Sequence, residues 1–201
     1  MAWQIVVLVG DAGVGKTNII SRYIRGTLPR TSYPTITVEF ATRNVPLKSG
    51  GIIKAQIWDT AGQERYQAIT ANHYKRSKAA IIVYDITKES TFMNVKKWVT
   101  ALKSHAEADL IIMLVGNKLD LVLANPNERK VSRAEAEKFA EENGFLFDEA
   151  SAFSNTKVKE SFEMLIETIY NEQSKVKENG VEGVSLTAGR VRKGGNVLCC
   201  F

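Results

Sequence analysis

The stretch LVGDAGVGKTNIISRYIRG, residues 8–26, leaves an apolar run, turns through small residues and enters a segment of helical character. Within it, GDAGVGKT sets Gly10, Gly15, Lys16 and Thr17 at the spacing of a phosphate-binding loop. A glycine-rich turn lets successive backbone N–H groups point at phosphate oxygens, and the positive end of the following helix adds to the attraction. Lys16 is positioned to reach the β- and γ-phosphates, and the Thr17 hydroxyl to bind Mg²⁺. A strand before this turn and a helix after it fix the fold class, because such a turn belongs to a βα unit.

The rest of the chain continues that alternation. Strand-like runs fall at residues 3–9, 38–45, 52–58, 79–84, 110–115 and 145–147. Between them helical spacing appears at Phe92, Val95, Val99 and Leu102, and again at Val158, Phe162, Leu165 and Ile169. Ser132 with Glu135 three residues on has the form of a capping box, and Gly144 ends that helix. The pattern predicts an α/β fold, a six-stranded, mostly parallel sheet with helices on both faces. PLKSGG at 46–51 is too short for a crossover and predicts one antiparallel hairpin. Along IIKAQIW, Ile53, Ala55 and Ile57 share one face, and Lys54, Gln56 and Trp58 the other. A tryptophan on that polar face either meets a partner or is covered by a loop of its own chain.

Composition limits the function classes. With 201 residues, 44% of them apolar and 24% charged, the chain is long enough for one full core and is not a disordered protein. The net charge of +5 comes without a basic stripe interleaved with aromatics, so nucleic acid is not an expected partner. Apolar runs such as Leu110–Val115 are too short to span a bilayer, and MAWQIVVLVG lacks a basic leader and reads as a strand. Cysteine occurs only at Cys199 and Cys200, which points to a reducing, cytosolic setting.

GNKLD, residues 116–120, ends the fifth strand, where sheets of this class place ligands. The Asp120 carboxylate can accept from the N1–H and the exocyclic amino group of guanine, whereas N1 of adenine is itself an acceptor. Asn117 can bond the other edge of the base, and the stem of Lys118 can cover its face. An ATP-using kinase built on the same loop fails at Asp120. DTAGQ, residues 59–63, follows the third strand: Asp59 can hold Mg²⁺, the Gly62 N–H can touch the γ-phosphate, and Gln63 can orient an attacking water. Thr35, in YPTITVEF, is the candidate second protein ligand of the metal.

In their order and spacing GDAGVGKT, Thr35, DTAGQERY, NKLD and the ASA of residues 150–152 resemble a small GTPase of the Ras superfamily. VEFATR, WDTAGQERYQAIT, VYDIT and the terminal cysteine pair resemble the Rab family, most of all its recycling-endosome branch. The likeness covers residues 3–171 and implies a small G domain at 1–173 followed by a flexible hypervariable tail at 174–201. It adds Gly13, Val14 and Asn18 to the phosphate set, and Leu28, Ser151, Ala152 and Phe153 to the guanine set. It also implies a GTP/GDP switch in vesicle transport that hydrolyses GTP slowly through Gln63. An exchange factor, a GTPase-activating protein, effectors, a prenylation escort and a GDP-dissociation inhibitor are the implied partners. A different-class alternative is a guanine-nucleotide-binding interaction module that does not cycle.

Several positions depart from the family pattern. Leu28 stands where a phenylalanine ring packs on the guanine, so either release is faster than usual or neighbours compensate. Thr37 replaces a glycine, and Ala150 replaces a threonine. Phe40 and Trp58 match the aromatic effector surface of the family, but its third position is His73. LANPNE at 123–128 lengthens the loop after Asp120 without an assignable role. Leu198 excludes a CaaX box, and Cys199 and Cys200 resemble a double geranylgeranylation site, with Arg190, Arg192 and Lys193 nearby. The implied location is the cytosolic face of endosomal or vesicular membranes, in exchange with the cytosol.

Overall fold

The computed structural model describes residues 4–29, 35, 39–60 and 74–181, with side chains as far as Lys175. The strands are β1 (Gln4–Val9), β2 (Glu39–Pro46), β3 (Ile52–Asp59), β4 (Ala79–Asp85), β5 (Ile111–Asn117) and β6 (Leu146–Glu149). The helices are α1 (Lys16–Arg25), α2 (Glu89–Met93), α3 (Val95–His105), α4 (Leu119–Ala124), α5 (Arg133–Asn143) and α6 (Val158–Val181), with a 3₁₀ turn at Pro126–Glu128. They form one sheet in the order β2-β3-β1-β4-β5-β6. Among the described strands only the β2–β3 pair is antiparallel, with Phe40 opposite Trp58 and Pro46 opposite Ile52. The hairpin and the mostly parallel sheet are those read from PLKSGG and from the βα alternation.

Period-two alternation sends neighbouring residues of each strand to opposite layers. Val6 and Leu8 join Ile57, Ile81 and Met113 under α1 and α6, where Ile19, Tyr23, Phe162 and Leu165 complete one core. Val7 and Val9 join Ile82, Tyr84 and Leu114 under α2, α3 and α5, where Phe92, Trp98, Leu102 and Ala136 complete the other. Complete burial of a side chain such as Leu165 or Phe162 contributes about 2–3 kcal/mol, so the double core supplies the rigidity that holds the loops at the sheet edge.

Two local features differ from the pattern. The apolar spacing from Phe92 to Leu102 suggests one helix, but the chain forms two that meet at Asn94, whose amide is used elsewhere. LANPNE is not an open loop: it carries the end of α4 and the 3₁₀ turn, where the Asn125 side chain accepts from the Asn127 N–H at 3.2 Å. The N-cap half of the capping box forms, with Ser132 Oγ accepting from the Glu135 N–H at 3.1 Å, and Gly144 ends the helix in the left-handed region at φ 70°. Helix α6 continues to Val181, beyond Ser174 where its apolar period ends. Among the described residues no helix is long and apolar enough to cross a membrane.

Candidate functional site

The carboxyl ends of β1, β3, β4, β5 and β6 lie along one edge of the sheet, and the predicted motifs follow them. After β1, Gly10 sits at φ 139°, and a Cβ there would stand 2.2 Å from the Val83 carbonyl oxygen of β4. Gly15, at φ 97°, begins α1 without a side-chain cap, which leaves the leading N–H groups of the helix free to meet an anion. A Cβ on Gly15 would stand 2.3 Å from Asn117 Nδ2. These two glycines are therefore required by close approach as well as by backbone conformation. Val14 turns its side chain into the first core, Gly13 is exposed at φ 76°, and Asn18 lies half-buried on α1.

Lys16 is 5% exposed, and its Nζ donates to the carbonyls of Gly10 at 2.8 Å and Asp11 at 2.9 Å. Burial pushes its pKa down to about 8, against the opposing pull of Asp59 and Asp11. An ammonium held in this way gains from phosphate oxygens that would offset its lost hydration. The loop is tied to the next layer by a contact that no short-range motif announces. The Asp11 carboxylate accepts from Asn94 Nδ2 at 2.7 Å and from Trp98 Nε1 at 2.8 Å. The break between α2 and α3 falls at the residue that makes the first of these bonds.

Thr17 Oγ1 donates to Asp59 Oδ2 at 2.6 Å and lies 2.8 Å from Thr35 Oγ1. Among the described residues Asp59 Oδ1 is buried without a hydrogen-bond partner. Burial raises the Asp59 pKa, while Thr17 and Lys16 act to lower it. Two hydroxyls and one carboxylate, whose Oδ1 is the unsatisfied atom, are an all-oxygen donor set that fits Mg²⁺.

The base end is assembled from three segments. Asn117 donates from Nδ2 to the Val14 carbonyl at 2.7 Å and accepts at Oδ1 from the Ala152 N–H at 3.1 Å, so one amide joins the phosphate loop to the loop after β6. Ser151 is fully buried and donates to Asp120 Oδ1 at 2.5 Å, while accepting from the Ser154 N–H at 3.0 Å. Lys118, at φ 73°, extends to Asp85 Oδ2 at 2.6 Å. Burial acts to raise the Asp85 pKa, but Lys118 and Thr87 outweigh it and hold the carboxyl below its ordinary value. Leu28 packs half-buried against the first core, and the Phe153 ring is 71% exposed.

On the outer strands the rings of Phe40 and Trp58 lie 5.0 Å apart. Phe40 is 57% exposed, whereas Trp58 is half-buried and packs against the second core. The second core therefore covers part of Trp58. Gly62, Gln63, His73, Thr37, Cys199 and Cys200 lie outside the described residues. Sequence reasoning missed Asp11, Asn94, Trp98 and Asp85, whose partners are brought together only by the fold. It also missed Arg22.

A phosphate loop on β1, a buried hydroxyl and carboxylate cluster and an NKLD loop on one sheet edge define a nucleotide-binding G domain. The Ras family profile matches residues 5–171. The chain is 46% identical over 189 residues to the Ras-related protein Rab-25 of Homo sapiens, covering 94% of this chain and 86% of that one. It is 49% identical over 185 residues to the GTP-binding protein ypt3 of Schizosaccharomyces pombe, covering 92% and 84%. To the Ras-related protein YPTC6 of Chlamydomonas reinhardtii it is 48% identical over 170 residues, covering 85% and 76%. The chain belongs to the Ras family and, within it, is a Rab-type small GTPase of vesicle traffic, an enzyme that hydrolyses GTP.

Proposed function

We propose that this chain is a Mg²⁺-dependent guanine-nucleotide switch that cycles on endosomal or vesicular membranes. The observation that carries the reading is the cluster of Thr17, Thr35 and Asp59 beside the buried Lys16. Thr17, Thr35 and Asp59 would hold Mg²⁺, which supplies charge neutralisation between the β- and γ-phosphate oxygens. Lys16 and the N–H groups of Gly13, Val14, Gly15 and Asn18 bind the phosphates. Asp120 selects guanine, Asn117 and Ala152 meet the other edge of the base, and Ser151 keeps Asp120 oriented. Thr35 and Gly62 sense the γ-phosphate, and Gln63 orients the attacking water. Loss of the γ-phosphate releases both segments, so effectors that touch Phe40, Trp58 and His73 distinguish the two states.

Segment 174–201 is the hypervariable tail, with Cys199 and Cys200 as sites of prenylation and Arg190, Arg192 and Lys193 as electrostatic support on anionic lipid. A prenylation escort and a GDP-dissociation inhibitor then handle the lipidated protein, while an exchange factor and an activating protein set the cycle. The test is the rate of GDP release with Mg²⁺ present and then chelated, in excess GTP and then excess ATP. Slow, Mg²⁺-dependent release with replacement by GTP alone is the expected result. Replacement by ATP as readily as by GTP would overturn the assignment of Asp120.

A further inference from the structure

We infer that Arg22 is a positioning residue for the base end of the site, a clamp that fixes the loop carrying Ala152 and Phe153 to the segment leading into Leu28. The inference rests on the guanine-binding reading of those residues. Arg22 lies on α1, and its guanidinium is spent entirely on main-chain carbonyls. Nε donates to Ala152 O at 2.9 Å, Nη2 to Phe153 O at 2.9 Å and Nη1 to Gly26 O at 2.7 Å. Among the described residues it forms no ion pair, although cations elsewhere on this surface find carboxylates.

Each of the three carbonyls needs such a partner for a physical reason. Phe153, Gly26 and Thr27 are exposed, so burial does little to hold the outer half of either segment. Ala152 is the inner end of the clamp: its N–H is bonded to Asn117 Oδ1 and its carbonyl to Arg22, so the residue is fixed from both sides. On the other segment Arg22 closes the end of α1, because its own carbonyl accepts from the Gly26 N–H at 3.0 Å. The adjacent Ser21 Oγ holds Thr27 O at 2.8 Å. The two residues before Leu28 are thus anchored by the same turn of helix that anchors the base loop. A rigid fork suits this task, since a lysine ammonium cannot direct donors along three separated lines.

The test compares GDP release from the wild-type chain, Arg22→Ala and Arg22→Lys, with Mg²⁺ present and with it chelated. Loss of the two bonds to the base loop is expected to speed release about tenfold in Arg22→Ala, with Arg22→Lys between it and wild type. The acceleration should be the same factor in both conditions, because the clamp acts at the base. A variant that merely loosened α1 would disturb Thr17, which holds the metal, and lose that part of its effect once Mg²⁺ is removed, so its two factors would differ. An unchanged rate, or an acceleration confined to the Mg²⁺-bound protein, overturns the inference. Where the alanine protein does not fold, Arg22→Lys decides alone: faster release in both conditions supports the clamp, and the wild-type rate overturns it. A wild-type chain that retains no guanine nucleotide would overturn the functional reading itself, whereas retention with unaltered Arg22→Ala overturns the clamp alone.

Discussion

The two ends of the site are built on different physics. At the phosphate end the groups are charged and buried: Lys16 is desolvated, Asp59 has an oxygen without a partner, and Gly10 and Gly15 leave no room for a side chain. At the base end the work is done by dipoles and one shared carboxylate, with Ser151 bonded to Asp120, Asn117 joining the Ala152 N–H to the Val14 carbonyl, and Phe153 in solvent. The first arrangement gains most when an anion and a cation arrive, because they relieve costs already present in the fold. The second is satisfied before any ligand comes, so it contributes selectivity with little stored cost. On the proposed assignment of these residues, strength of binding belongs to one end and choice of base to the other.

The sharpest way to break this division is Gly15→Ala. The added Cβ would strike Asn117 Nδ2 at 2.3 Å, at a φ of 97° that alanine rarely adopts. Displacing that amide removes its bond to Val14, so both ends fail together, with nucleotide affinity reduced on the order of a hundredfold or more. Equilibrium binding of a fluorescent GDP analogue measures it, and affinity close to wild type would show that the loop is not held by this contact. The next test separates the ends. Asp120→Ala should lower affinity for GDP by about ten- to a hundredfold while leaving ADP unchanged, as expected for loss of a charged hydrogen bond made only by guanine. Equal weakening of both nucleotides would mean that Asp120 supports the loop and does not read the base.

The phosphate end was legible in the chain because its parts are contiguous. Gly10, Gly15, Lys16 and Thr17 announce a turn, a helix start and a ligand within eight residues, and the structure places them so. The sheet was legible for a similar reason, since its strands are short alternating or continuous apolar runs and helical spacing falls between several of them. The base end was half legible: NKLD identifies itself, but Arg22 reads as an ordinary charge on an amphipathic helix. Its partners lie 130 and 131 positions away and are main-chain atoms, which leave no trace in residue types. The same holds for Trp98, whose spacing with Val95 and Leu102 marks core while its indole N–H serves Asp11. The Asn94 break escaped notice because apolar periodicity reports burial, and burial continues across it.

The base end also holds an ion pair, between Lys118 and the buried Asp85, and it can be titrated. Asp85 is buried and its folded-state pKa lies below the ordinary value, so its contribution to stability is complete above the unfolded carboxylate range near 3.8. That contribution disappears as pH falls through the lower folded value. Asp85→Asn should cost about 2 kcal/mol at neutral pH and make the unfolding midpoint less sensitive to acid below pH 4. Denaturant unfolding at pH 7 and pH 3 gives the comparison. An unchanged acid sensitivity would show that the pair adds nothing that water does not.

The smallest effect concerns Leu28, a base-end position where the chain departs from the pattern of its family. In the proposed site leucine would give apolar cover to the guanine without the edge and face of an aromatic ring, a difference of about 1 kcal/mol. If the base end is held mainly by packing on the base, Leu28→Phe should slow GDP release about fivefold. If it is held mainly by the carbonyls fixed from α1, the ring adds little and release hardly changes. The anchoring of Gly26 and Thr27 by Arg22 and Ser21 leaves Leu28 on a constrained segment, half-buried against the first core. Its side chain is therefore already positioned, and phenylalanine in its place would gain contact without first having to order the backbone. That favours the slower rate, and it makes the Leu28→Phe effect depend on Arg22: in an Arg22→Ala background the ring should lose most of its advantage.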